Sequence, residues 1–296
     1  MRVSTSLPTN DSGIPDLAQA HHLEALGYDA VGMPDLLIGD GTPGFDPTLV
    51  LAAVAAVTSE IKLGFGVLTL PLRPAVMVAA QIQTLQHLSG DRVVLGVGIG
   101  GFPGSPFWHA AGGPPRAERG RRADSSLALL PRLIRGEPVE VIPGEEVVLA
   151  PAAPVPPILI GGNSEAAMRR AVLFGDGWAP SLITPRALAD KAARLREIAG
   201  DLGRPVPSIS VGGHAFLAGD AAAALRSFVR SLVDVHGMPS EEAESVAVTG
   251  GPAQVAERLA EYAEAGADAV EFGLDGGEWR RQAELLAEAR NHAAGA

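Results

Sequence analysis

The sequence predicts a single (β/α)8 TIM barrel of the α/β class, in one domain that spans residues 1–296. Short runs rich in Val, Ile and Leu alternate eight times with Ala-rich segments of helical periodicity. The predicted strands are nearly continuous apolar runs, which is typical of a parallel sheet with both faces covered. A chain of 296 residues is long enough for the eight strand–helix units of this barrel. A doubly wound parallel sheet is the alternative.

Each predicted strand is a short apolar or β-branched run bounded by Gly, Pro or polar residues. In order, the strands are Arg2–Leu7, Ala30–Met33, Ile61–Leu68, Arg92–Gly98, Pro157–Ile160, Gly177–Pro180, Ser208–Phe216 and Ala269–Leu274. The helical patterns are Pro15–Leu26, Pro47–Ser59, Ala75–Leu88, Glu118–Arg135, Ser164–Phe174, Pro185–Leu202, Ala221–His236, Pro252–Ala265 and Glu278–Ala293. Strand and helix therefore alternate along the whole chain.

Three connecting segments exceed ordinary loop length, and we interpret them as insertions after strands 4 and 7 and before strand 5. They are Gly100–Ala117, Gly237–Gly251 and Glu137–Pro156, respectively. The insertion before strand 5 alternates apolar and polar residues about Pro143-Gly144, which predicts a β-hairpin. The other two leave from the C-terminal face of the barrel, where barrel enzymes place their active sites.

Composition excludes several classes of function. The net charge of −11 argues against nucleic acid as a partner. The apolar runs are too short and interrupted for a membrane span, and the first residues lack the apolar core of a signal peptide. Without cysteine the chain has no disulfide, thiolate metal site or Cys nucleophile. We therefore expect a cytoplasmic protein without a metal site that acts on a small molecule.

Glycines mark the end of the fourth predicted strand, where Gly96, Gly98 and Gly101 spell G-x-G-x-x-G. A dinucleotide-binding turn needs a helix directly after the glycines, but the next residues are Phe-Pro-Gly-Ser-Pro. The acidic residue expected after a second strand is also missing. We reject the dinucleotide interpretation, which leaves two alternatives: close approach of a ligand to the backbone, or a simple bend.

Two other strand ends also carry glycines. Gly161-Gly162-Asn163-Ser164 stands between a buried strand and a helix, and its backbone N–H groups suit a phosphate. An ordinary capped turn explains the same residues. The third glycine site, Gly64 to Thr69, closes strand 3 and indicates a bulge or a close approach.

At these residues the chain resembles the bacterial luciferase-like family of flavin- and deazaflavin-dependent oxidoreductases. The resemblance runs nearly end to end and rests on the order and spacing of several motifs. They are LEALGYDAVGMPD (23–35), Ile61–Gly66 with Arg73-Pro74, LSGDRVVLGVGIG (88–100), PILIGGNSEAAMRRAVLFGDGWA (157–179) and GPAQVAERLAEYAEAGAD (251–268).

The resemblance implies a (β/α)8 barrel that binds coenzyme F420 or, alternatively, FMN at the C-terminal ends of its strands. It places the cofactor ring against a bulge at Gly66 and Val67, often joined by a cis peptide. The implied cofactor-binding residues are Asp35, Gly66, Val67, Gly98 and Gly100 around the ring and side chain, with Gly161, Gly162, Asn163 and Ser164 at the phosphate. It also implies a homodimer, formed through helices such as Pro47–Val57.

The resemblance further implies an oxidoreductase that transfers a hydride between F420 and a small organic substrate. A reduced-FMN-dependent monooxygenase and a non-catalytic cofactor-binding barrel are the alternatives.

The deazaflavin branch commonly has Asp-His after strand 2, whereas this chain has Asp35-Leu36, and Gly101 stands near a position where Glu is common. The residues that usually transfer protons in that branch are therefore absent. Separately, arginines at 116, 119, 121 and 122 could attract the polyglutamate tail of F420, or they could simply form the exposed start of a helix.

Candidates for proton transfer are Asp35, His109 and His214, since catalytic proton transfer most often uses His or an acid. Asp275, directly after strand 8, is a weaker candidate. The aromatic residues Phe102, Phe107 and Trp108 cluster in the insertion after strand 4. We expect them to line an apolar substrate pocket, with a small local core beneath the loop as the alternative.

Overall fold

A computed structural model shows a closed barrel of eight parallel strands surrounded by helices, a (β/α)8 TIM barrel, and confirms the predicted fold. It describes residues 1–10, 12–102, 104–217, 219, 221–234 and 237–295. The strands are β1 (Arg2–Ser6), β2 (Ala30–Met33), β3 (Lys62–Phe65), β4 (Leu68–Thr69), β5 (Val93–Gly98), β6 (Val139–Ile142), β7 (Glu145–Val147), β8 (Ile158–Gly161), β9 (Gly177–Ala179), β10 (Ser208–Phe216), β11 (Ala247–Thr249) and β12 (Ala269–Leu274).

The helices are α1 (Leu17–Ala25), α2 (Pro47–Val57), α3 (Ala75–Ser89), α4 (Pro106–Ala110), α5 (Arg119–Ile134), α6 (Glu165–Phe174), α7 (Pro185–Asp201), α8 (Ala222–Asp234), α9 (Ser240–Ser245), α10 (Pro252–Glu264) and α11 (Trp279–Gly295). Most bounds agree with the sequence-based expectation to within two residues. The predicted end of the helix at His236 lies outside the described residues. In the described part of the chain, no helix is long and apolar enough to cross a membrane.

The barrel closes in the order β1, β2, β3, β5, β8, β9, β10, β12 and back to β1. All of these neighbouring pairs are parallel, as the alternation of strand and helix predicts. Side chains that alternate outward pack against the helices, and Leu63, Leu95, Trp178, Val211 and Phe272 are fully buried there. This layer between the strands and the helices contains most of the apolar core. Polar residues and glycines can therefore face the interior of the barrel.

Acidic residues at the N-terminal edge of the sheet tie neighbouring strands together. The carboxylates of Asp29, Asp176 and Asp268 accept the N–H groups of Val3, Ile158 and Ile209, each at 2.8 Å. Each Asp stands just before one strand and bonds the start of its neighbour, so the acceptor satisfies an N–H group that the ladder leaves unpaired. These contacts fix the register of three strand pairs at the end of the barrel opposite the candidate site.

The insertions differ in structure. β6 and β7 form the predicted hairpin before strand 5. The loop after β5 contains the short helix α4, which its Gly/Pro-rich sequence did not suggest, and the segment after α8 contains α9 and the short strand β11, which extends the sheet beside β10. The predicted third strand ends early at Phe65, and Leu68–Thr69 form the separate strand β4 paired with β5.

Candidate active site

Glycine dominates the inward-facing positions at the C-terminal end of the barrel. The strand registers and the alternation of side chains place Gly32, Gly66, Gly96, Gly98, Gly161, Gly212 and Gly273 there. Gly66 is exposed, and Val67, Gly98 and Gly161 are partly exposed. The mouth of the barrel is therefore open to solvent down to a floor of backbone and small side chains.

The side chain of Val67 forms the apolar part of this floor. The Gly66–Val67 peptide is cis, as the resemblance implies. A Cβ atom at Gly98 would lie 2.7 Å from Val67 Cγ2, and one at Gly161 would lie 3.2 Å from either methyl group. The glycines of β5 and β8 thus make room for Val67, so here the group that approaches the backbone closely is a side chain of the protein itself.

Gly100 lies beside the loop that follows β5. Its φ of +92° favours glycine, and a Cβ there would lie 2.5 Å from the Trp108 ring. Its carbonyl accepts a hydrogen bond from the buried Arg119 guanidinium at 2.6 Å. Gly100 therefore joins the barrel to a local core of this loop. Among the four arginines that could attract the polyglutamate tail of F420, Arg119 is buried, whereas those at 116, 121 and 122 are exposed.

The turn between β8 and α6 presents polar groups at the rim. Ser164 caps α6, its hydroxyl accepting the N–H of Ala167 at 3.2 Å. Asn163 exchanges two hydrogen bonds with the backbone of Ser181, and its carbonyl accepts from Lys191 Nζ at 3.0 Å. The start of a helix with an ammonium group beside it favours an anion such as a phosphate.

Asp35 lies in a closed corner of the mouth, formed by the ends of β2 and β3. Its side chain is only 3% exposed and pairs with Arg73 through two hydrogen bonds, at 2.6 and 3.1 Å. The carboxylate also accepts the N–H of Thr69 at 2.8 Å. Arg73 lies 3.7 Å from Asp46, which caps α2. Sequence reasoning matched Arg73 to a motif but did not expect it to saturate Asp35.

His214 and Asp275 form an open corner on the opposite side of the mouth. His214 faces inward from β10, and its Nδ1 hydrogen-bonds to Asp275 Oδ2. The two side chains are 40% and 43% exposed. Phe228 of α8 packs against the imidazole with ring centroids 4.8 Å apart, and a Cβ at Gly273 would lie 3.2 Å from Nδ1. The ring is thus held on two sides while Nε2 has no hydrogen-bond partner among the described residues.

Gln282 of α11 fixes the backbone on which this open corner stands. It is fully buried, and its Oε1 accepts the N–H of Leu217, just after β10, at 2.9 Å. Its amide nitrogen donates to the carbonyls of Asp275 and Gly276. A single side chain therefore joins the exits of the strands that carry His214 and Asp275. Sequence reasoning did not identify Gln282.

The aromatic residues of the loop after β5 separate. Trp108 is buried, and its indole N–H donates to the Pro114 carbonyl at 3.1 Å, so it belongs to the local core that was the alternative interpretation. Phe107 is half-buried beside Gly39, whereas Phe102 is 41% exposed. His109 is exposed at the end of α4. Of these residues, Phe102 and Phe107 remain available to line a substrate pocket.

Glu271 is an inward-facing residue that sequence reasoning overlooked. It lies within β12, and its carboxyl reaches across the barrel to Gly32 and Gly66. Burial raises its pKa to about 7. The signal in the sequence is an acidic residue inside an otherwise apolar strand, at the position that alternation turns toward the interior.

Comparisons with known proteins agree with this fold. A family model for luciferase-like monooxygenases matches residues 15–269. An uncharacterized protein of Mycobacterium tuberculosis is 32% identical over 209 residues, which covers 62% of this chain and 71% of that protein. The 4-hydroxyprotoasukamycin monooxygenase of Streptomyces nodosus subsp. asukaensis is 39% identical over 126 residues, covering 42% of this chain and only 33% of that enzyme.

Solved structures with the same fold include an F420-dependent enzyme and a monooxygenase. An F420-dependent secondary alcohol dehydrogenase in complex with an F420-acetone adduct has a TM-score of 0.83 at 14% identity, over 99% of this chain and 98% of that one. The EDTA monooxygenase of a Chelativorans species has a TM-score of 0.77 at 18% identity, over 99% and 94%. At these identities the likeness establishes the fold alone.

Proposed function

This chain belongs to the luciferase-like monooxygenase family, and from that premise we propose that it transfers a hydride between coenzyme F420 and a small organic substrate. The observation that carries the proposal is the His214–Asp275 pair at the rim of a glycine-lined barrel mouth. Hydride transfer to or from an alcohol or carbonyl needs a partner that takes or gives a proton at oxygen. An exposed imidazole oriented by a carboxylate suits that task.

The chemistry of the available groups fits a flat cofactor with a phosphate. Gly66 and Val67 offer an exposed apolar floor for a ring, bordered by Gly98 and Gly100. Gly161, Gly162, Asn163 and Ser164 with Lys191 offer N–H groups and a positive charge for a phosphate. Lys191 is one of only two lysines in the chain, and the other, Lys62, begins β3 at the far end of the barrel.

Within this proposal each side chain of the mouth has a separate task. The bound cofactor supplies the hydride chemistry. His214 accepts the hydroxyl proton of an alcohol at Nε2, or returns it to a carbonyl oxygen in the reverse direction. Asp275 orients the imidazole through Nδ1 and stabilises its protonated form.

Asp35 takes a positioning role in this scheme. Arg73 and the Thr69 N–H occupy its carboxylate, and a guanidinium does not release a proton in proteins. The pair instead holds the end of β2 and the Gly66–Val67 floor in one geometry. His109, although exposed, has no carboxylate partner among the described residues, so His214 is the stronger candidate for proton transfer.

A reduced-FMN-dependent monooxygenase is the second candidate. Two relatives that match by sequence are monooxygenases, the second being the limonene 1,2-monooxygenase of Rhodococcus erythropolis, 32% identical over 124 residues. Both cofactors would use the same floor and phosphate positions. Under either reaction we propose a homodimer, because α2 exposes Leu49 and the adjacent helix α3 exposes Met77 and Leu88. The cytoplasmic location expected from the sequence stays a prediction.

A parallel fluorescence titration of the purified protein with F420 and FMN tests the proposal. We expect F420 to bind more tightly, and Lys191→Met to weaken binding about fivefold through loss of one charge near the phosphate. Lys62→Met, the matched control, leaves affinity unchanged. Preferential FMN binding would favour the monooxygenase, and binding of neither would contradict both reactions.

A further inference from the structure

We propose that Glu271 is a second proton-carrying residue of this site, placed in the barrel floor to donate a hydrogen bond and a proton to the bound cofactor ring. The inference rests on the proposed function but concerns a different residue and a different proton from those of His214. No motif of the sequence pointed to Glu271. Its placement follows from strand register and from the space that two glycines leave.

The position of Glu271 in the barrel is determined by its neighbours. It lies in register with Ser4 of β1 and Gly212 of β10, and all three face the interior. From β12 the carboxyl passes β1 to reach Gly32 on β2 and Gly66 after β3. A Cβ at Gly66 would lie 2.7 Å from Oε1. The carboxyl thus lies directly beside the exposed floor at which the ring is proposed to bind.

No other group in the described part of the chain satisfies this carboxyl. Neither oxygen has a hydrogen-bond or ion-pair partner there, although buried polar groups normally find one. The adjacent inward-facing residues of β1 are Ser4 and Ser6, and those of β2, β3, β5, β8 and β9 near this level are glycine, alanine or apolar. The residue is half-buried, and its carboxyl lies against the exposed Gly66 of the mouth. A carboxyl with an open edge and no partner is suited to a ligand.

The charged groups around Glu271 leave it free to hold a proton. His214 and Asp275 lie above it at the rim, since His214 is two residues beyond Gly212, about 7 Å along the strand. Arg2 and Lys62 are exposed at the opposite end of the barrel. No cation is close enough to stabilise the carboxylate, and burial raises the pKa to about 7. At neutral pH the group is therefore available in both protonation states.

The proton balance of the proposed reaction needs such a group. Oxidation of an alcohol releases a hydride from carbon and a proton from oxygen. A bound cofactor would accept the hydride with its electron pair. His214 Nε2 would accept the hydroxyl proton, and Glu271 would supply the one proton that the reduced cofactor needs. Solvent then removes the proton from His214 and restores that of Glu271, so two electrons and two protons leave the alcohol.

Proton uptake on cofactor binding tests this role without turnover. Calorimetric titration of the wild type with the oxidised cofactor, in two buffers of different ionisation enthalpy, gives the number of protons bound. At pH 7.5 we expect uptake of about half a proton or more, because covering the open edge favours the neutral acid. Glu271→Gln abolishes the uptake, and Glu288→Gln, an exposed control on α11, retains it.

The outcomes separate this inference from the proposed function. Tight binding to the wild type without proton uptake, or with equal uptake by Glu271→Gln, would overturn the role of Glu271 and leave the function standing. Absence of binding to the wild type would overturn both. Difference infrared spectra of the wild type on binding give a second readout that needs no variant: a protonated carboxyl band must grow, and an unchanged band contradicts the inference.

Discussion

The two corners of the barrel mouth use the same acidic residue in opposite ways. Asp35 is buried, bonded twice to Arg73 and once to backbone, and thus has no capacity left for chemistry. The Asp275 side chain is 43% exposed, and its carboxylate hydrogen-bonds to one side chain, that of His214. An imidazole can serve as a general acid or base, whereas a guanidinium cannot. A carboxylate at a barrel rim therefore indicates a site only together with its partner and its exposure.

The largest expected effect is on the open corner. His214→Gln removes the imidazole, and we expect kcat to fall about 10²–10⁴-fold, the usual contribution of a general acid or base. The dissociation constant of the cofactor should change little. Steady-state kinetics with the cofactor that binds measures the first quantity, and the titration measures the second. His21→Gln, an exposed histidine on α1, is the control; equal losses in both variants would exclude a specific role for His214.

A substitution in the closed corner should lower the stability of the fold. Arg73→Ala leaves the buried Asp35 carboxylate without its partner, which lowers the free energy of unfolding by about 3–5 kcal/mol. Urea unfolding measures this change. Arg135→Ala removes an exposed pair with Glu137 and should cost less than about 1 kcal/mol. If the two variants lose the same free energy of unfolding, the pair of Asp35 and Arg73 does not hold the end of β2 in place.

The free energy of unfolding should depend on pH through Glu271, which lies in the barrel floor between the two corners. Because the folded-state pKa of Glu271, about 7, lies above the value of 4.5 for an unperturbed Glu, its ionisation opposes folding. Stability due to this group is unaffected below pH 4.5 and falls as the pH rises through 7. Glu271→Gln should match the wild type at pH 4.5 and exceed it at pH 8 by up to about 3 kcal/mol in urea unfolding. A pH-independent difference would contradict a buried, titrating carboxyl.

The smallest effect is expected from Gln282, whose side chain joins the ends of the strands that carry His214 and Asp275. Gln282→Met keeps the volume but leaves the Leu217 N–H without its acceptor, which should cost about 1–3 kcal/mol of stability. Because the side chain also holds the Asp275 loop, we expect kcat to fall more than KM changes, and the pH profile of kcat to shift. A stability loss with unchanged kinetics would make Gln282 purely structural.

The strands were predictable because both faces of a parallel sheet are covered, so each strand appears as an apolar run. The third run was misjudged at its end, since Ile61–Leu68 stays apolar while the backbone leaves β3 after Phe65. Helix α4 was missed because Pro and Gly surround it, and β11 because it has only three residues.

The site was predictable in its glycines and in single residues, but less so in its contacts. His214 was a candidate from its place in a strand, yet its pairing with Asp275, 61 residues away, depends on adjacency of β10 and β12. The pairing of Asp35 with Arg73 spans 38 residues in the same way. Glu271 could have been found from the alternation of side chains alone, because an acidic residue that faces inward from an apolar strand is costly to bury and therefore indicates a function.

The placement of the cofactor beside the open corner is the central claim, and covalent labelling of histidines tests it most directly. Diethyl pyrocarbonate modification, followed by mass spectrometry, compares the free protein with the protein saturated with F420 or FMN. We predict that His214 is modified in the free protein and protected in the complex, while His21 is modified equally in both. Equal modification of His214 with and without bound cofactor would contradict the account.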